Sequence, residues 1–189
     1  MDTERSKTGV SVLGCGRWGS FLSWYLDYLG YNVKLYGRAS SKAFQALQES
    51  GENAFLKLRA HTQLTSSLEE AAANNELFLA VGAQNMRALM RELSAWDLRS
   101  KTLVLCMKGL DAESGKRMSE LAEEFGVQPE QIAVWLGPGH VEDFVRGMPN
   151  CMLLDAPERR TAERLAAMLR SELIQFDIGA DLIGNELCA

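Results

Sequence analysis

A basic block is missing from this chain of 189 residues. Lys and Arg number 20 against 25 Asp and Glu, a net charge of −5 with both histidines neutral. An acidic balance with no basic run argues against a nucleic-acid surface and against binding to anionic membrane. No window approaches ~18 uninterrupted apolar residues, so no segment is expected to span a bilayer. Residues Met1 to Gly9 are polar and charged and hold no apolar stretch of signal-peptide type. The four cysteines, Cys15, Cys106, Cys151 and Cys188, are scattered and form no C-x-x-C pair. Three of them sit in or beside apolar runs, which predicts buried free thiols and a reducing, cytoplasmic setting. His61 and His140 lie far apart without paired cysteines, so no zinc or other metal site is expected.

What is present is an ordinary globular mixture, 47% apolar and 24% charged, sufficient for a sizeable core. Short apolar runs alternate with segments of helical period. Val10-Ser-Val-Leu13 reads as a strand, and Phe21, Leu22, Tyr25, Leu26 and Leu29 then recur on one helix face, with Gly30 as the stop. Asn32 to Tyr36 alternates as a second strand. Ser67-Leu-Glu-Glu70 has the form of a capping box opening a short helix. Leu77–Val81, Thr102–Met107, Ile132–Leu136, Cys151–Leu154 and Ile174–Ile178 read as further strands, most of them continuous apolar runs of the kind buried on both faces. Helices are expected around Met86–Leu93, Met118–Phe125 and Thr161–Leu173. The alternation predicts an α/β fold, a doubly wound and mostly parallel sheet with helices on both faces. No linker, repeat or low-complexity segment divides the chain. It is expected to be one dinucleotide-binding domain over residues 1–189, with residues 1–8 a flexible N-terminus and residues 181–189 the opening of a further helix.

Gly14-Cys-Gly16-Arg-Trp-Gly19 is G-x-G-x-x-G placed between a strand and a helix, the context in which the motif has meaning. In the Rossmann-type arrangement Gly14 permits the tight turn, Gly16 lets backbone approach a pyrophosphate, and Gly19 lets helix and strand pack closely. The helix start offers unpaired N–H groups and a positive dipole end to the anion. An NAD-selective site usually carries Asp or Glu about 20 residues further on, but no carboxylate stands between Tyr28 and Gln48. The second strand ends instead in Tyr36-Gly37-Arg38, and a guanidinium there suits a 2′-phosphate. NADP is therefore favoured, with NAD tolerated. Ligands in such sheets sit outside the carboxyl ends of the strands. That position is held by Gly82-Ala-Gln84, by Lys108-Gly109, and by the turn Gly137-Pro-Gly-His140.

The order VSVLGCGRWGSFL, AVGAQNMR, MKGLDAESGKRMSE, LGPGHVEDFVRGMP, DLIGNELCA resembles the amino-terminal domain of bacterial NAD(P)-dependent glycerol-3-phosphate dehydrogenase, collinearly from about Thr8 to Ala189. The resemblance implies hydride transfer between NAD(P)H and dihydroxyacetone phosphate, giving glycerol 3-phosphate for phospholipid synthesis. It places Arg17 and Trp18 at the cofactor and Arg38 at the cofactor-selecting position. Lys108 falls against cofactor and substrate, Gly137 and Gly139 at the substrate, and Phe55, Val81 and Val141 at the cofactor. The pattern departs at Arg17, where the family usually has serine, at Ala80-Val-Gly-Ala83, where A-V-P-S is usual, and at Gly139, where a serine usually helps hold substrate. In the family the D-x-I-G-x-E-L segment runs into a helix carrying the proton-transferring lysine and then into a helical substrate domain. This sequence holds neither, so no catalytic residue is assigned to it and little turnover is expected. A small phosphate substrate is implied, and a homodimer of the full-length protein is left open. Two other readings stand beside this one: a related dehydrogenase of a small oxo acid or sugar nucleotide, and a non-catalytic nucleotide-sensing module.

Overall fold

The structure, a computed structural model, describes residues 7–189; the expectations for the polar start at Met1–Ser6 lie outside the described residues. Eight strands form one sheet in the order β3-β2-β1-β4-β5-β6-β7-β8. They are β1 (Lys7–Leu13), β2 (Tyr31–Tyr36), β3 (Thr62–Thr65), β4 (Glu76–Leu79), β5 (Thr102–Leu105), β6 (Ile132–Leu136), β7 (Asn150–Asp155) and β8 (Ile174–Ile178). All neighbouring pairs are parallel except β6 with β7, which meet antiparallel through Val134–Asp155 and Leu136–Leu153. The helices are α1 (Arg17–Tyr28), α2 (Lys42–Ser50), α3 (Leu68–Ala72), α4 (Ala83–Leu93), α5 (Met118–Glu124), α6 (Val141–Val145), α7 (Arg159–Leu169) and α8 (Leu182–Cys188). This is the doubly wound Rossmann-type arrangement.

Successive strand residues point to opposite faces, and both faces are covered. In β4, Leu77 and Leu79 join one core while Phe78 joins the other; in β5, Leu103 and Leu105 oppose Val104; in β6, Ile132, Val134 and Leu136 oppose Ala133 and Trp135. Helices α1 and α7 cover the Trp135 face with Phe21, Tyr25, Leu165 and Leu169. Helices α4 and α5 cover the other with Met86, Met90 and Leu121. The unbroken apolar runs are thus the central strands. The edge strand β8 alternates between buried and exposed, and the other edge, β3, buries fully only Thr65.

Local details depart from the sequence expectations at the capping box, at the cysteines and at the helix expected over Thr161–Leu173, which ends at Leu169 because Arg170 turns extended. Ser67 does accept from the Glu70 amide at 3.2 Å, but the Glu70 carboxylate takes the Thr65 hydroxyl at 2.7 Å instead of reaching back to the Ser67 amide. Thr65 Oγ1 accepts that amide at 3.0 Å, so the donor is satisfied one residue removed. All four cysteines are free, yet only Cys15 and Cys106 are buried. The alternation of β7 turns Met152 and Leu154 into the core and Cys151 outward, and Cys188 lies in the last turn of α8. Among the described residues no helix is long and apolar enough to cross a membrane.

Helix α8 docks back on the body. Asp181 caps it by accepting from the Gly184 amide at 3.0 Å, and Glu186 is buried against α5, where Arg117 Nη1 approaches it at 2.7 Å and the Ser119 amide at 3.0 Å. Asn185 Nδ2 donates to Asp155 at 2.6 Å.

Candidate functional site at the carboxyl end of the sheet

Strand order reverses between β1 and β4, and the glycine turn lies at that switch point. Gly14 has φ of 115°, a left-handed conformation that disfavours a side chain, and a Cβ there would lie 2.7 Å from the Ala80 carbonyl oxygen. Its amide donates to the Tyr36 carbonyl at 2.9 Å, which ties the turn to the end of β2. Gly19 sits one helical turn into the structure against Gly14, whose carbonyl oxygen would be 1.8 Å from an added Cβ. Gly16 is different: its backbone is extended, it caps α1 without a side chain, and an added Cβ would meet nothing within 4 Å. The first intrahelical bond runs from the Ser20 amide to the Gly16 carbonyl at 2.9 Å. The amides of Arg17, Trp18 and Gly19 therefore precede the helical ladder, and no acidic residue stands in the first turn to compete for them. Open space lies above a helix start with unspent donors, so these residues fit a diphosphate.

Two clefts flank this turn. One, of about 290 Å³, is lined by Gly14, Gly16, Arg38, Val81, Gly82 and Glu92, among others. Arg38 is exposed at the end of β2, and Val81 is half-buried. Glu92 carries no local sequence signal for this cleft, because it arrives from the last turn of α4 and not from the end of the second strand. The other cleft, of about 480 Å³, brings together Trp18, Cys106, Lys108, Gly137, Gly139 and His140. Lys108 and Gly137 come from the ends of neighbouring parallel strands, β5 and β6, some thirty positions apart in the chain.

Of the remaining candidates, Val141, Arg17 and Phe55 do not line either cleft, and Gly139 lines the second one under tight packing. Val141 is buried in the core of the α1 face, which leaves only its backbone for a ligand. Gly139 is hemmed in by Phe144, whose ring would be 2.3 Å from an added Cβ, and by Met152. A serine at that position would have to displace an aromatic ring. Arg17 and Phe55 meet each other: the guanidinium carbon lies 4.6 Å from the ring centroid, and Arg17 also pairs with Glu142.

Lys108 stands on a loop held from below. Arg87 of α4 is buried and donates through Nη2 to Asp111 at 2.7 Å and through Nη1 to Glu124 at 2.7 Å. Ser114 closes the loop on Asp111, its hydroxyl at 2.6 Å and its amide at 2.9 Å. Lys116 Nζ reaches Glu124 at 2.7 Å. The Arg87 guanidinium holds the Asp111 and Glu124 carboxyls below the usual carboxylate range, Glu124 at about 2.

Comparison with known proteins agrees with this geometry. Residues 9–162 match the family described as NAD-dependent glycerol-3-phosphate dehydrogenase N-terminus. The chain is 30% identical over 184 residues to a glycerol-3-phosphate dehydrogenase of Pelodictyon phaeoclathratiforme, covering 94% of this chain and 55% of that protein. It is 31% identical over 185 residues to one of Moorella thermoacetica, covering 95% and 54%. The chain thus spans about half the length of the curated relatives it matches. A solved glycerol-3-phosphate dehydrogenase of Coxiella burnetii superposes with a TM-score of 0.87 at 21% identity, over 96% of this chain and 57% of that one, and shows the shared fold. With its glycine turn, its sheet order and a family match across most of its length, the chain belongs to the NAD-dependent glycerol-3-phosphate dehydrogenase N-terminal family.

Proposed function

We propose that this chain is the dinucleotide-binding domain of an oxidoreductase that interconverts dihydroxyacetone phosphate and glycerol 3-phosphate, and that it binds NADPH in preference to NADH. One observation carries the reading: the glycine turn lies between two clefts, one holding Arg38 and the other Lys108 with the 137–140 turn. A dinucleotide needs that sequence of environments, a pocket carrying an arginine for the adenosine end, amides for the diphosphate, and an open cleft for the reacting end. When bound, the cofactor supplies or accepts the hydride. The residues of this chain bind and orient: the first-turn amides of α1 hold the diphosphate, Arg38 meets the 2′-phosphate, and the Lys108 ammonium meets both the cofactor and a substrate oxygen. The residues described are therefore expected to bind the cofactor.

Calorimetric titration with NADPH and NADH tests the proposal. Arg38→Asp is expected to weaken NADPH binding by ~10-fold or more and NADH binding much less, since only NADPH offers a phosphate to the lost guanidinium. Equal losses for the two would reject Arg38 as the selecting residue. Lys108→Ala is expected to weaken the cofactor complex while leaving the melting temperature nearly unchanged, because Lys108 is exposed. A large drop in melting temperature would make that lysine structural.

A further inference from the structure

Arg17 carries two contacts that the dinucleotide reading leaves unused. It is the first residue of α1, and its guanidinium lies over the Phe55 ring at 4.6 Å while pairing with Glu142 in the first turn of α6. The partners are 125 positions apart in the chain, so the pair joins the glycine turn to the segment that follows the 137–140 turn. The side chains of Arg17 and Glu142 are 48% and 40% exposed. A pair so open to water contributes little to stability and is readily exchanged for a stronger partner. A diphosphate is such a partner, because it offers several charged oxygens to a planar fork of N–H donors. Glu142 is ionised at neutral pH: a hydrogen bond from its own backbone amide, and then Arg17, hold its carboxyl below the usual range. At neutral pH its charge is therefore available to compete with an arriving anion.

We propose that Glu142 is a competitor built into the cofactor site: Arg17 is parked on Glu142 and exchanges that carboxylate for the diphosphate when the dinucleotide binds. Glu142 then lowers affinity twice over, by occupying the arginine and by repelling the phosphates once the arginine has left. Phe55 keeps the guanidinium plane in place between the two positions. This rests on the dinucleotide reading above.

The test measures NADPH and inorganic diphosphate affinity, together with melting temperature, for the wild-type chain, Glu142→Gln, Arg17→Ser and the double variant. Glu142→Gln is expected to tighten NADPH and diphosphate alike by ~3- to 10-fold, the gain expected from freeing one charge-assisted partner. Arg17→Ser is expected to weaken both ligands, and in that background Glu142→Gln should recover less than it gains when Arg17 is present. If Glu142→Gln leaves affinity unchanged or weakens it, the pair is a structural tie between α1 and α6 and the proposal is overturned. Glu142→Ser serves as a second neutral variant should the glutamine lower stability. Failure of the wild-type chain to bind NADPH would overturn the dinucleotide reading itself, a result distinct from a bound wild type with unresponsive variants.

Discussion

Gly19→Ala is expected to unfold the chain or lower its melting temperature by on the order of 10 °C, whereas Gly16→Ala should fold normally and lose NADPH affinity by ~100-fold or more. The two glycines belong to one motif but face different obstacles. At Gly19 the added Cβ would lie 1.8 Å from the Gly14 carbonyl oxygen and 3.2 Å from the Ala80 Cβ. Neither neighbour is the free end of a flexible side chain, so helix and strand must separate, and overpacking of this kind costs about 3 kcal/mol or more. At Gly16 the Cβ meets nothing within 4 Å, and a φ of −70° suits alanine, so stability should change by less than about 1 kcal/mol. The methyl would instead stand where the diphosphate approaches the helix start. A Gly16→Ala chain that keeps its NADPH affinity within threefold would remove the glycine turn from the binding site.

Asp111→Ala is the second large effect, an expected drop in melting temperature of about 10 °C, because it removes the buried one of the two carboxylates at 2.7 Å from the Arg87 guanidinium and leaves only the more exposed Glu124 at that distance. The same substitution should weaken cofactor binding, since Asp111 anchors the loop that carries Lys108 three residues earlier. Acid should act on the same cluster. Asp111 is held low first by its bond to Arg87 and then by Ser114, and Glu124 first by Arg87 and then by Lys116. A carboxyl with a lower pKa folded than unfolded adds stability that is complete above its unfolded value, near 4, and is lost as pH falls through its folded value. Thermal melts should therefore show stability falling between about pH 4.5 and pH 2. Arg87→Met should flatten that decline, and a wild-type profile no steeper than the variant's would show that the cluster is not its source.

How far the sequence could be read depended on how much each element buries. The runs Leu77–Leu79, Thr102–Leu105 and Ile132–Leu136 sit in the middle of the sheet, and their unbroken apolar character reports burial on both faces. Helix α2 buries only Phe44 and Leu47, and β3 is a polar edge strand, so neither leaves a pattern distinct enough to be found. Helix α6 has five residues, too short to show a period. The candidate site divides in the same manner. The glycine turn was legible because its spacing belongs to a single strand-to-helix turn: Gly14 needs a left-handed φ, Gly19 must clear the Gly14 carbonyl, and Gly16 leaves the helix start bare. The Glu92 contribution to the cleft beside Arg38, the Arg17–Glu142 pair and the clasp of Arg87 under the Lys108 loop were not, because each joins segments distant in sequence.

By itself the order of residues determined the class of sheet, the position of the glycine turn and the missing carboxylate at the end of β2, all of which follow from backbone sterics and hydrophobic period within short windows. Tertiary structure alone decided which charges meet. It set Glu142 against Arg17, buried Val141 and crowded Gly139 against Phe144, and pinned the loop of Lys108 from beneath. Coulomb and packing forces act between neighbours in space, and only the folded sheet makes those residues neighbours.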